Sequence, residues 1–512
     1  MDRRSGIGHL AEASLRVFSL EGTDINDEGD ADYADFPDFA DLLQAGKSPR
    51  ASTKTLLFIP VQEGSMLSER SAFIRKIRDI RVPVRRRCPS HYSTLHNHVM
   101  RCASSRLLLS AAVATSSLLA MGCATSAART TADRNVLPGI EVLLRDSLHL
   151  ISGKRVGLIT NHSGKDRSGT STIDLLHRAP GVQLTALYGP EHGLRGAAEA
   201  GVHIASTVDS ATGVPIFSLY GETRVPTPQM LENIDVLLYD IQDVGARVYT
   251  YQWTMVLAAE AAAKVGKSFV VLDRPDPVRA DRVEGGLSRI SSFVGLHPVP
   301  IRYGLTPGEL LRYLVGTGRV KANVTVVPMA NYRRDMWWED TGIPWVRPSP
   351  NLRDMDATIL YTGTVFFEGT NLSEGRGTDK PFRLIGAPWL TDAGAIAREL
   401  NAQRLPGVRF DSTSRTIAEG MKHGGLTIPM IEVILVDRNR VVPVKVGARM
   451  LQTIRARHPN EWQWREGSID RLSGSDELRL AVDAGKVDEL LAKWDLEARD
   501  FAARREPYLI YK

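Results

Sequence analysis

"DVLLYDIQDVGARVYTYQWTMVLAAEAAAKVGKSFVVLDRPDP", residues 235–277, holds the unit that decides the fold. Its first part, 235–251, opens as an unbroken apolar run and ends among Asp240, Gln242 and Asp243. Residues 254–266 are alanine-rich with helical spacing, and Gly266 closes them. A second apolar run, 267–277, ends at Asp273 and Arg274. Strands without polar alternation must be covered on both faces, which is the habit of parallel sheets. Strand, helix and strand of this character form a βαβ unit.

The same rhythm extends in both directions. "RVGLITNHSG" (155–164) is an apolar run ending at Asn161 and His162, and 171–179 has helical spacing. "VQLTALYGPEHG" (182–193) ends at Glu191 and His192, and "VPIFSLYG" (214–221) is a further run. "TPQMLENI" (227–234) enters on Thr-Pro and predicts a helix. "TPGELLRYLVGTG" (306–318) predicts another, and "VTVVPM" (324–329) a strand. The fold class expected is α/β: a mostly parallel sheet domain over 133–345, then a smaller α/β domain over 346–512.

In such sheets the ligand crevice lies beyond the carboxyl ends of the strands. Four polar clusters fall there: Asn161/His162, Glu191/His192, Asp240/Asp243 and Asp273/Arg274. Taken singly, each is an ordinary solvated turn. Four in succession on one edge predict a shared cleft. Nucleotide binding is not expected. No G-x-G-x-x-G follows the first strand, and "AAAKVGKS" has Ala261 where a phosphate loop needs its first glycine and precedes a strand instead of following one.

The second half carries "PSPNLRDMDATILYTGTVFFEGTNLSEGRGTDKPF" (348–382). "TILYTGTVFF" reads as a strand. The glycine-rich loop after it gathers Glu368, Asn371, Glu374 and Arg376. Glycines let a backbone approach a ligand closely. Amide and carboxylate side chains suit sugar hydroxyl and acetamido groups, and Arg376 suits a carboxylate. Beyond Ile385, 425–437 reads as strand, and 443–459, 476–485 and 487–509 as helices. Trp462, Trp464 and Trp494 read as core residues before sugar platforms.

The first 130 residues differ in kind. "MRCASSRLLLSAAVATSSLLAMGCATSAA" (100–128) has a basic end, a short apolar stretch and small residues after it, the layout of a secretory signal. "LLAMGC" resembles a lipoprotein signal ending at Cys123, and simple cleavage near Ala128 is the competing reading. The chain is therefore expected to be exported, periplasmic or lipid-anchored, with no other membrane contact. Upstream, nine Asp/Glu lie between Glu21 and Asp41, and residues 1–99 are expected to be disordered or an over-extended reading frame, with Met100 the true start.

Net charge is only +5, and residues 124–512 contribute 48 Lys/Arg against 45 Asp/Glu. With no basic stripe bearing aromatics, a nucleic-acid partner is not expected. The three cysteines are Cys88, Cys102 and Cys123, so the body has neither a disulfide nor a cysteine-based zinc site.

"TNHSG", "PEHGLRG", "SLYG", "DVLLYDIQDVGARVYTY", "VLDRPDP", "SFVGLHPVPIRYGLTPGEL", "PSPNL", "FEGTNLSEGRGT", "IGAPWL" and the final "REPYLIYK" occur in order from about Val136 onward. Together they resemble the NamZ-type exo-β-N-acetylmuramidases. The resemblance implies a glycosidase that removes terminal non-reducing N-acetylmuramic acid from peptidoglycan fragments, in a cleft between a Rossmann-like and a smaller α/β domain, with no metal or nucleotide cofactor. The sequence departs from the family pattern at Asp276 for Asn, at Gly286 for Pro, and at Tyr303 and Leu305 for His and Met.

Glycoside cleavage needs one protonated carboxyl group and one ionised. Glu191 is the expected acid, its pKa raised by partial burial after an apolar strand, with His192 orienting it. Glu368 is the expected second carboxylate, with Glu374 and Asp243 behind it. Arg376 or Arg247 would bind the lactyl carboxylate. Asn161, His162, Asp240, Gln242, Tyr249 and Asn371 are candidate sugar contacts. Two other readings use the same cleft: a non-catalytic binding lipoprotein for cell-wall sugars, and a metal-dependent hydrolase built on His162, His192 and Asp240.

Overall fold

The computed structural model describes residues 135–191, 193–194 and 207–512. The signal-like segment, all three cysteines and His192 lie outside the described residues. The chain begins with α1 (Gly139–Asp146), β1 (Arg155–Thr160), α2 (Thr172–Arg178) and β2 (Gln183–Gly189). Next come β3 (Thr207–Val208), β4 (Pro215–Ser218), β5 (Val236–Asp240), α3 (Tyr251–Lys264) and β6 (Ser268–Leu272). A hairpin of β7 (Glu284–Leu287) and β8 (Pro300–Arg302) precedes α4 (Pro307–Gly316) and β9 (Val324–Val327). Thr306 caps α4 with a full capping box to Glu309, as a Thr-Pro-Gly-Glu start favours.

Seven strands form one sheet in the order β3-β4-β2-β1-β5-β6-β9. Every neighbouring pair is parallel except β3 with β4. From β1 the chain adds β2 on one side and later β5 on the other, so the order reverses at the β1–β5 seam. That switch point is where an open α/β sheet presents its crevice. Alternation distributes side chains to two cores. Leu158, Leu187, Leu238 and Val270 face α1 and α2, while Ile159, Tyr188, Leu237 and Tyr239 face the other way.

The carboxyl-terminal elements all pack on that second face. They are α5 (Met355–Thr364), β10 (Leu384–Gly386), α6 (Ala393–Ala402), β11 (Val408–Thr416), β12 (Thr427–Leu435), α7 (Pro443–Arg457), α8 (Glu466–Ser473), α9 (Glu477–Asp483) and α10 (Val487–Arg505). β10, β12 and β11 make a small antiparallel sheet. Phe366, Met450 and Phe501 share one continuous core with Tyr239 and Trp253. Trp462 and Trp494 are buried in it, and Trp464 packs edge-on against Trp462.

Two expectations are corrected. Residues 227–234 form turns, not a helix. Their carbonyls are diverted: Tyr188 donates to Met230 O at 2.6 Å and Thr185 to Asn233 O at 2.7 Å. "TILYTGTVFF" is helical, as α5 followed by a 3-10 turn over Val365–Gly369. Asp354 caps α5 by accepting from Ala357 N at 2.7 Å. The helix is buried on nearly every side, so it shows no polar face to reveal its period.

Candidate active site

The rim is built from loops that follow the parallel strands. At the β1 end, Asn161 Oδ1 accepts from Ser163 N and Oγ at 2.9 and 2.6 Å, and Ser163 Oγ accepts from Gln242 N at 3.0 Å. These bonds tie the β1 and β5 loops across the switch point. Gln242 Nε2 donates to Asp243 O and Pro275 O at 2.8 and 2.7 Å, joining the β6 loop as well. A groove opens over this seam, lined by Ser163, Lys165, Gln242, Arg274, Trp338 and Pro344. His162 Nε2 meets Arg347 O at 2.5 Å, and Tyr251 donates to Pro348 O at 2.7 Å. Residues 347 and 348 thus cross the rim.

Glu191 stands half-buried at the end of β2, where Thr250 Oγ1 donates to its Oε2 at 2.7 Å. Tyr249 and Tyr251 lie close enough to feel its charge, and burial already holds both phenols protonated. Tyr249 touches Tyr361 edge-on at 6.1 Å between centroids, and Tyr361 touches Phe382 at 4.8 Å. The Arg376 guanidinium lies 5.1 Å from the centre of the Phe382 ring and 2.9 Å from Glu368 Oε1. A run of direct contacts therefore joins Glu191 to Glu368.

The 368–376 loop is a balanced charge cluster. Arg376 also pairs with Glu374 at 3.4 Å, and Lys422 reaches Glu374 at 3.3 Å from the β11–β12 turn. Burial pushes the Glu374 carboxyl up, but Lys422 and Arg376 outweigh it and hold it below the usual range. Lys422 also donates to Thr370 O and Leu372 O, fixing the loop from outside. Asn371 is spent on that same framework: its amide bonds Glu461 O at 2.8 Å and accepts from Gln463 N at 3.2 Å.

Several expected contact residues lie beneath the rim. Asp240 is fully buried; both its oxygens bind Arg274, at 2.5 and 2.9 Å, and Thr172 donates to it as well. It anchors Arg274 beneath the rim and has no exposed surface. Its oxygens are taken up by Arg274 and Thr172, and His192, the other member of the metal reading with His162, lies outside the described residues. Arg247 is fully enclosed as well, donating to Val294 O, Arg471 O and Leu472 O. Burial without a carboxylate pushes its guanidinium down to about 9. It bolts the sheet domain to α8 and is not placed to meet a lactyl group. Asp243 is buried under Tyr303, which donates to its Oδ2. Thr250 and Lys422 were not anticipated. Thr250 adjoins the flagged Tyr249, whereas nothing in the sequence around Lys422 marks it.

Carboxylates and cations gathered near the carboxyl rim of a Rossmann-like sheet mark the candidate active site of an α/β protein. The models of the exo-beta-N-acetylmuramidase NamZ amino-terminal and carboxyl-terminal regions match residues 156–356 and 359–511, and the chain belongs to that family. It is 42% identical over 380 residues to the peptidoglycan beta-N-acetylmuramidase NamZ of Bacillus subtilis (strain 168), covering 73% of this chain and 91% of that one. Two solved DUF1343 family proteins of Bacteroides fragilis NCTC 9343 share the fold. One has a TM-score of 0.69 at 36% identity, spanning 74% of this chain and all of its own; the other has 0.59 at 28%, spanning 74% and 99%.

Proposed function

We propose that this glycosidase releases a terminal non-reducing N-acetylmuramic acid from peptidoglycan fragments, with Glu191 protonating the leaving oxygen. Glu368 serves as the opposing carboxylate that attacks carbon or activates water. Glu374, kept ionised by Lys422 and Arg376, orients Arg376 against Glu368. The observation that carries this assignment is the unbroken line of contacts from Glu191 through Thr250, Tyr249, Tyr361, Phe382 and Arg376 to Glu368. Acid and second carboxylate are held on two parts of the chain and are joined through buried aromatic rings.

The test is product analysis with defined wall disaccharides. Wild type should release free N-acetylmuramic acid from a muramic-acid-terminated substrate. Glu191→Gln keeps the size but loses the transferable proton, and should lose roughly two or more decades of turnover. Glu368→Gln should lose a comparable amount. Near-full activity in either variant rejects that residue's role. Export of this enzyme rests on residues 100–128, and amino-terminal sequencing of the secreted form decides between cleavage before Cys123 and cleavage near Ala128.

A further inference from the structure

Beneath the rim lies a set of buried groups that the hydrolytic residues leave unused. Gly245 is wedged between two carboxylates. Its N–H donates to Asp243 Oδ2 at 3.1 Å, and a Cβ on it would lie 2.4 Å from Asp276 Oδ1. Tyr303 donates to the same Asp243 oxygen from the β8–α4 connection. Asp276 Oδ1 accepts from Val278 N at 3.0 Å. Asp243 Oδ1 and Asp276 Oδ2 are enclosed with no hydrogen-bond partner among the described residues. Asp243 and Asp276 are 1% and 2% exposed, so water cannot screen one charge from the other.

We propose that Tyr303 is a positioning residue for the hydrolysis: it anchors ionised Asp243, while Asp276 keeps the single proton that the two carboxylates share. This rests on the catalytic assignment to Glu191. Asp243 begins the segment that runs through the Gly245 turn to Thr250, and Thr250 holds Glu191. A shift at Asp243 therefore moves the hydroxyl that orients the acid. The proton sits on Asp276 Oδ2, because Asp243 has the phenol donor and Asp276 has none on that oxygen. The phenol keeps its own proton, since burial and Asp243 hold its pKa well above 10.

The surroundings agree with one proton for two acids. Burial pushes Asp243 up to about 6, with Tyr303 and the Val244 and Gly245 amides pulling it back. Burial pushes Asp276 up to about 7, where Asp243 adds to the rise and Arg302 and Arg334 oppose it. Tyr239 and Tyr249 face Asp243, and both stay neutral through burial. Tyr332, whose hydroxyl accepts from Asp276 N at 3.3 Å, stays neutral through burial, and Arg505 faces Asp276 from α10. Arg302 is engaged by Glu284 at 2.5 Å. Arg334 is engaged by Glu309 and Arg505 donates to the Ala280 and Gly304 carbonyls, so burial outweighs these cations at Asp276.

Two variants test this. Tyr303→Phe removes the donor to ionised Asp243 and keeps the ring. It should lower kcat roughly tenfold with KM within about twofold, and move the acid limb of the kcat/KM profile to higher pH. A uniform drop with the acid limb in place, or no drop, overturns the positioning role. Asp276→Asn tests the proton without any substrate. In wild type the raised carboxyl binds a proton more tightly folded than unfolded, so Tm should fall as pH rises from 4 to 7. The variant should lose a clear part of that fall; parallel Tm profiles overturn the shared proton. If wild type fails to cleave the glycoside, the proposed function fails, and the Tm comparison still stands.

Discussion

Asp240 and Glu374 are both buried carboxylates, and their neighbours make them different tools. Asp240 meets Arg274 and Thr172 on both oxygens and acts as a strut. Asp240→Asn would strand an enclosed guanidinium, so a loss of about 3–5 kcal/mol in stability is expected, read from urea midpoints. Glu374 has a depressed folded pKa, so its contribution is complete above the ordinary carboxylate range and lost as pH falls through the lower folded value. Lys422→Met removes one of its two cations and should start the acid-induced loss at a higher pH; urea midpoints between pH 3 and 6 measure it. From sequence alone Asp240 reads as a rim acid and Glu374 as an acid of the glycine-rich loop, both candidates for the site. What separates them are partners 34 and 48 positions away, which no local pattern records.

Elements were legible where burial and period agreed. β1, β2, β5, β6 and β9 are short apolar runs closed by Asn, Gly, Pro or Asp, and α3, α4, α7 and α10 keep a helical spacing. α5 differs from the expected strand because a helix enclosed on nearly every side, with Ile359 and three Thr, looks as apolar and β-branched as a buried strand. β11 was missed for the opposite reason: its exposed positions carry Arg, Asp, Ser and Thr, and only Phe410 is fully buried. Glycine at the α5–α7 crossing follows from the close approach. A Cβ on Gly447 would lie 2.2 Å from Gly363 O. Gly447→Ala should therefore cost about 1–3 kcal/mol by overpacking, and an unchanged Tm would refute the tight crossing.

At the scale of the whole molecule, one hydrophobic core runs from the parallel sheet into the carboxyl-terminal helices. Residues 135–512 should then unfold in one transition, with tryptophan fluorescence and circular dichroism coinciding. Arg247 spans that seam through carbonyl acceptors only. Arg247→Ala leaves those carbonyls unsatisfied and should cost about 1–3 kcal/mol without changing the salt dependence, since no ion pair is lost. Tyr511 completes the opposite side of the sheet. It donates to Asp273 Oδ2 at 2.7 Å, and its backbone N–H and that of Ile510 donate to Glu309. Asp273 in turn holds Thr306 and the start of α4. The chain separates Asp273 from Tyr511 by 238 positions. At about 5–20 residues per second, a ribosome needs roughly 10–50 seconds to bridge that gap. For that interval the nascent sheet lacks its last latch, and the emerging polypeptide remains open to chaperones.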